Sequence, residues 1–288
     1  MKNLEENIYN KKEIKVIENG FLNRKFKNKD GHVHTNYCPH GTLDKMEAYI
    51  IEAIENNLEE ISFTEHMPLP KNFIDPSPLK DSAMKEGDIE LYLREGFYLK
   101  RKYKNQIKIN LGFEVDYIDG YEKESAFLLN QYGKFIEDSI LSVHFIKGNL
   151  RYYCIDFSVE EFRKIINDLG SIENLYEVYY DTLIRAIKSD LGMFKPKRIG
   201  HLNLVRKFNK EFPYDYTKHL EKIEEILSLI KDRGYELDFN LAGLRKKHCG
   251  ELYLEGVILK KAIEKNIPLI LGSDSHSSKY IKEIKSFL

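Results

Sequence analysis

The chain has 288 residues, 32% of them charged and 42% hydrophobic, with a formal net charge of −1 at pH 7. That balance suits a soluble globular protein with one sizeable core and lacks the global basic field that draws in nucleic acid. No apolar run approaches the roughly 18 residues of a membrane helix. The charged N-terminal stretch lacks the apolar segment of a secretory signal. Three scattered cysteines (Cys38, Cys154, Cys249) make no disulfide framework, so a reducing, cytoplasmic setting is expected.

Residues 1–29 carry an Asn19-Gly20 turn signal and read as an N-terminal extension, leaving 30–288 as the main domain. From there short β-branched or apolar runs alternate with longer stretches of helical period. The strand-like runs fall near 32–34, 60–64, 107–115, 140–145, 198–204, 235–240 and 267–272. Helix-like segments include 43–57, 159–168, 175–188, 216–233 and 254–266. This alternation predicts an α/β fold with a parallel sheet. Seven strands in one domain favour a closed or nearly closed barrel over an open sheet. Residues 68–88, with Pro68, Pro70, Pro76, Pro78 and Gly87, read as a long loop of the kind that serves as a lid.

Seven of the nine histidines sit at or just after a strand-like run. Asp30-Gly-His32-Val-His34 leads to Cys38-Pro-His40; Glu65-His66 ends the second run, and Glu114-Val-Asp116 the third. His144 and His201 follow the next two, and Asp274-Ser-His276 the last. On extended chain, residues i and i+2 point to one side, so His32 and His34 can share a cation. In parallel barrels the C-terminal strand ends converge on one face. Imidazole with carboxylate suits zinc, iron or manganese. A lone histidine at a strand end is usually just a hydrogen-bonded group; six such phrases together point to metal. His32, His34, His40, His66, Glu114, His144, His201, Asp274 and His276 make nine ligand-type residues. That is too many for one ion and generous for two, and it fits three with a bridging carboxylate. His219 lies within a helix-like segment and is expected to face solvent; it and His248 fall outside the pattern.

The phrases DGHVHTNYCPHGT, ISFTEHMPLP, LGFEVDY, SVHF, IGHLNLVRKF, AGLRK and LGSDSH, spread from Asp30 to Ser277, resemble the polymerase-and-histidinol-phosphatase (PHP) superfamily, and within it the histidinol-phosphate phosphatases. The resemblance implies a distorted seven-stranded (β/α) barrel, TIM-like in plan. It implies three divalent metal ions: one on His32, His34, Glu114 and Asp274; a second sharing Glu114 with His144 and His201; a third on His40, His66 and His276. It implies hydrolysis of a small phosphorylated metabolite, histidinol phosphate, in histidine biosynthesis. Clustered cations neutralise phosphate oxygens and lower the pKa of a bound water toward about 7.

Glu65, Asp274 and His276 are the candidate catalytic groups, Glu65 as an acid that orients a neighbouring ligand. Arg245 and Arg206 are the candidate phosphate-binding groups, because planar guanidinium donors grip phosphate in a bidentate way. Glu251, or a residue of the loop at 68–88, is a candidate partner for the substrate's cationic end. Rival readings are another PHP phosphoesterase such as a nucleotide or phosphotyrosine phosphatase or an exonuclease, a metal-binding module without turnover, and a C–N hydrolase on a similar barrel. The balanced charge weighs against a nuclease, which should present a basic groove.

Overall fold

A computed structural model describes residues 26–288. Apart from residues 26–29, the extension expected at 1–29 lies outside the described residues. The described residues contain nine strands: β1 (Lys29–Val33), β2 (Glu60–His66), β3 (Lys108–Asp116), β4 (Ile140–Ser142), β5 (Phe145–Lys147), β6 (Tyr152–Cys154), β7 (Arg198–Ile199), β8 (Glu236–Asn240) and β9 (Leu269–Gly272). Seven form a single sheet in the order β1-β2-β3-β4-β7-β8-β9, every neighbouring pair parallel. The antiparallel β5-β6 hairpin is inserted after β4. Val33 bridges Ser275 in parallel, the His34 amide donates to the Ser275 carbonyl (2.9 Å), and the Asp274 amide donates to the His32 carbonyl (2.8 Å). These bonds bring the last strand back to the first, so the sheet is a nearly closed seven-stranded barrel, which the strand count favoured and the family resemblance implied.

The helices are α1 (Met46–Glu55), α2 (Ile89–Lys102), α3 (Glu122–Tyr132), α4 (Val159–Leu169), α5 (Ile172–Lys188), α6 (Leu220–Asp232), the short α7 (Ala242–Arg245) and α8 (Gly256–Glu264). The periodicity had not singled out α2 and α3. Ser158 and Ser171 cap α4 and α5, their hydroxyls accepting from the Glu161 and Asn174 amides, the arrangement that satisfies an orphan donor of a first turn.

Strand β3 shows how sequence places the site. Its odd residues Ile109, Leu111, Phe113 and Val115 are buried and apolar. Leu111 meets α2 so closely that a Cβ on Gly96 would lie 2.4 Å from Leu111 Cδ2. The Tyr92 hydroxyl of α2 reaches the Phe63 and Gly112 carbonyls at 3.0 and 2.9 Å. Each such buried apolar side chain contributes about 1.5–3 kcal/mol, and this layer between sheet and helices is the main core. The even residues Asn110, Glu114 and Asp116 are buried and polar, on the opposite side of the pleat. Asn110 Nδ2 donates to the Ser62 hydroxyl on β2 (3.0 Å).

At the far end from the histidines, Arg198 of β7 is only 2% exposed. It pairs with Asp138 (3.0 Å) and donates to the Gly31 carbonyl (2.8 Å). Lys29 and the Ser62 hydroxyl also bond Asp138, at 2.7 and 2.6 Å. One carboxylate thus ties β1, β2 and β7 together.

One expectation is corrected. His219 is buried, not solvent-facing: it ends a 3-10 turn (Tyr216–His219) ahead of α6, with Glu177 at one ring nitrogen and Tyr214 at the other, both at 3.0 Å. The helical period does not hold across that turn, so the ring swings inward. Residues 67–85 form no regular element, in keeping with the expected long loop. The Met84 amide fastens that loop to the His66 carbonyl (3.1 Å). Among the described residues no helix is long and apolar enough to cross a membrane.

Candidate metal centre

The period-two geometry of β1 sets His32 and His34 side by side, their Nε2 atoms 3.0 Å apart and both rings fully buried. In the parallel register His66 of β2 stands beside Glu114 of β3. Glu114 then becomes the hub: its Oε2 lies 3.3 Å from His32 Nε2, His34 Nε2 and His66 Nδ1. Its Oε1 lies 2.9 Å from His201 Nε2 and 3.7 Å from His144 Nε2. Asp274, just past β9, stands 3.6 Å from His34 Nε2 and 3.5 Å from His276 Nδ1. Asp274 has φ of 50°, a left-handed conformation uncommon outside glycine and a mark of strain at working sites. His40 completes the group, its Nε2 3.2 Å from His276 Nε2. All nine ligand-type residues therefore meet at one mouth of the barrel.

Chemistry of the donor set suits cations. His34 Nδ1, both ring nitrogens of His66, His201 Nδ1 and Glu65 Oε2 are buried without a hydrogen-bond partner among the described residues. Among the described residues, four groups of three or four side chains have donor atoms within 4.8 Å of one another: His32–His34–Asp274, Glu114–His144–His201, His66–Asp116–His144, and His34–Cys38–His66–His276. Burial lowers the pKa of His34, His66 and His276, keeping those rings neutral as ligands must be. Burial works against protonating His144 too, but Asp116 and Glu114 carry it up to about 10. Without metal, then, the buried acids draw protons onto some rings, and a divalent ion would take the place of those protons.

Residues 30–242 match the model of the PHP domain. The chain belongs to the PHP domain family. A histidinol-phosphatase of Bacillus subtilis (strain 168) is 46% identical over 251 residues, 87% of this chain and 94% of that relative. A crystal structure from Listeria monocytogenes, described as a candidate histidinol phosphatase, matches with a TM-score of 0.85 at 40% identity, covering 88% of this chain and 97% of its own. A Lactococcus lactis histidinol phosphate phosphatase, solved with zinc, L-histidinol and phosphate, shares the fold at a TM-score of 0.65 and 19% identity, covering 91% and 92%.

Around this PHP centre the acids that sequence reading passed over stand behind the rings. Asp238 of β8 lies 2.8 Å from His32 Nδ1, and Asp116 lies 2.8 Å from His144 Nδ1. A carboxylate at the second ring nitrogen fixes the tautomer and orients a ligating histidine. Glu65 lies 3.9 Å from His34 Nδ1, beyond hydrogen-bond reach, and accepts from the Thr35 amide and hydroxyl at 2.5 and 2.6 Å. It is fully buried, away from the cleft, and burial raises its pKa to about 7.

The centre opens into a cleft of about 330 Å³. Its wall includes Phe145, Phe157, Leu204 and Tyr253, and the cations on it are Lys207 and Lys246. The two arginines chosen from sequence do not line it. Arg206 is turned to Glu251 and to the Tyr214 carbonyl (3.1 Å), so Glu251 is occupied by that pair. Arg245 bonds Glu283 (2.7 Å) and the Ser273 and Asp274 carbonyls (2.8 and 3.2 Å). In each case the adjacent lysine takes the cleft position. Arg206 and Lys207 share a 3-10 turn, in which neighbours diverge by about 120°. Lys246 follows α7 with an extended ψ of 123°, which turns it away from Arg245.

Proposed function

We propose that this protein hydrolyses histidinol phosphate to histidinol and inorganic phosphate in histidine biosynthesis, with residues 30–288 as the catalytic unit. One ion is assigned to His32, His34, Glu114 and Asp274, a second to Glu114, His144 and His201, and a third to His40, His66 and His276. The observation that carries this reading is the hub: one buried carboxylate, Glu114, within 3.7 Å of five imidazoles drawn from four other strand ends. The 46% identity to a histidinol-phosphatase over most of both chains supports the substrate.

Bound divalent ions would supply Lewis-acid charge to the phosphoryl oxygens and acidify a water. The chain's own part is to hold and align. Asp238 and Asp116 keep protons on the outer nitrogens of His32 and His144, leaving the inner ones as lone pairs. Asp274, in its left-handed turn, faces the same cluster, and Arg245 braces that turn from behind through the Ser273 and Asp274 carbonyls. Phe145, Phe157 and Leu204 give the cleft an apolar wall suited to a flat imidazole ring and poor in competing water. Asp274 and His276 stand at the cleft and Glu65 behind it, where Glu65 fixes Thr35, the residue next to His34, through the Thr35 amide and hydroxyl. The reading includes a cytoplasmic setting, in keeping with three buried, unpaired cysteines.

The test is direct. Metal content is measured on the purified chain, and phosphate release is assayed with histidinol phosphate before chelation, after chelation and after restoring manganese, iron or zinc. Activity should vanish with the metal and return with at least one ion, and His34→Ala should lose both together. Failure of every reconstituted form to act on histidinol phosphate rejects the reading.

A further inference from the structure

Most charged groups on the cleft wall are already committed. Lys207 pairs with Asp156 at 2.8 Å, Asp116 serves His144, and Glu114 and Asp274 belong to the histidine cluster. Two lining residues differ. The Lys246 ammonium and the Asp81 carboxylate make no hydrogen bond or ion pair among the described residues, and they carry opposite charges. Lys246 lies within electrostatic reach of Asp274 and His276, beside the cluster.

Asp81 comes from the long loop, and that loop is built rather than slack. Asp75 organises it: its carboxylate accepts from the Ser77 amide (2.7 Å), the Ser82 amide (3.1 Å) and the Ser82 hydroxyl (3.1 Å), and its carbonyl accepts from Lys80. The Asp81 carbonyl lies 2.8 Å from His40 Nδ1, which places Asp81 at the edge of the cluster. A half-buried carboxylate held by a fastened loop, with no partner of its own, is a preformed receptor for a cation.

We propose that Asp81 is a specificity-determining residue that takes the ammonium group of an aminoalkyl phosphate, while Lys246 takes its phosphoryl group. This rests on the phosphatase reading above and adds to it the device by which the substrate class is chosen. A phosphomonoester without an amine leaves Asp81 unpaired in the cleft, and a site with an unpaired polar group discriminates against the ligand that fails to satisfy it. The pairing of free charges of opposite sign also sets the direction in which the substrate lies.

The experiment compares kcat/KM for histidinol phosphate, phosphoethanolamine and p-nitrophenyl phosphate in the wild type, Asp81→Asn, Asp81→Glu and Lys246→Met, with metal content measured in each. A charge-assisted hydrogen bond is worth about 10- to 100-fold in such a comparison. Asp81→Asn should cut the preference for the aminoalkyl esters over p-nitrophenyl phosphate by about that factor, mostly through KM, with metal content unchanged. Asp81→Glu should recover part of the preference. Lys246→Met should weaken all three esters together. If Asp81→Asn changes all three substrates alike, or loses metal, Asp81 acts on His40 or the loop and the inference falls. If the wild type prefers phosphoethanolamine but ignores histidinol phosphate, the proposed function falls while the inference stands. If the wild type shows no preference for amine-bearing esters at all, the inference falls whatever the true substrate is.

Discussion

The substitution Asp238→Asn isolates a single proton. Asp238 and His32 are both fully buried, with Oδ2 2.8 Å from Nδ1. Burial alone would raise the Asp238 pKa, but His32 and Arg198 beside it hold it below its ordinary value, so the group is a carboxylate. A carboxylate can only accept, so the His32 proton sits on Nδ1. Burial works against protonating His32, but Asp238 and Glu114 raise its pKa well above the ordinary value, so without metal Nε2 is protonated as well; a cation that displaces that proton finds the lone pair on Nε2, the atom 3.0 Å from His34 Nε2 and 3.3 Å from Glu114. An asparagine has the same shape but can present its NH₂ to Nδ1, which drives the proton to Nε2 and blocks that atom as a ligand. Losing such a supporting carboxylate typically costs 10- to 100-fold in metal affinity or activity, about 1.4–2.7 kcal/mol. The assay is a metal titration against a competing chelator, with kcat/KM on the same preparations. Asp116→Asn should behave alike through His144 Nδ1, also at 2.8 Å. An Asp238→Asn protein with wild-type metal affinity would refute the tautomer argument.

Other outcomes follow from the same geometry. Glu114→Gln removes the charge shared by five imidazoles. It should lower the metal content by more than one ion and reduce kcat/KM beyond the roughly 100-fold seen when only a supporting group is lost; full metal retention, measured by elemental analysis, would show that Glu114 is not shared. Asp138→Ala strands Arg198, 2% exposed, and should cost about 3–5 kcal/mol in urea unfolding. In the wild type, burial pushes the Asp138 carboxyl up, but Arg198 and Lys29 more than offset it and hold the pKa below its ordinary value. Its stabilisation is therefore complete above about pH 4 and lost as pH falls through the lower folded-state value; Asp138→Asn should show a flatter stability profile across that acid range. Gly112→Ala places a Cβ 1.5 Å from the Asp138 carbonyl oxygen, a backbone atom that cannot swing away. The strand must shift two residues before Glu114, at a cost at or above the 1–3 kcal/mol typical of overpacking, and a variant with unchanged melting temperature and metal content would contradict the packing described.

What the sequence made legible is what short-range geometry controls. The seven strands of the barrel stand where alternating runs placed them, because β-branched and apolar residues at period two bury one face whatever the rest of the chain does. His32 with His34, and Asp274 with His276, were readable as pairs for the same reason. The cleft cations were not. Arg206-Lys207 and Arg245-Lys246 each show two adjacent basic residues, and no local pattern says which one a turn will aim at the site. Preference for the bidentate fork of arginine picked the member that the backbone turns away from the cleft. Asp238 was invisible because its partner His32 is 206 residues away, and only closure of the barrel sets β8 behind β1. Arg245 still bears on the site. Arg245 donates to the Ser273 and Asp274 carbonyls, and Asp274 holds a left-handed φ that costs roughly 1 kcal/mol or more outside glycine. Two bonds from a charged donor at that turn offset the strain, so the basic residue expected to grip the substrate instead holds the backbone of a carboxylate that faces the histidine cluster.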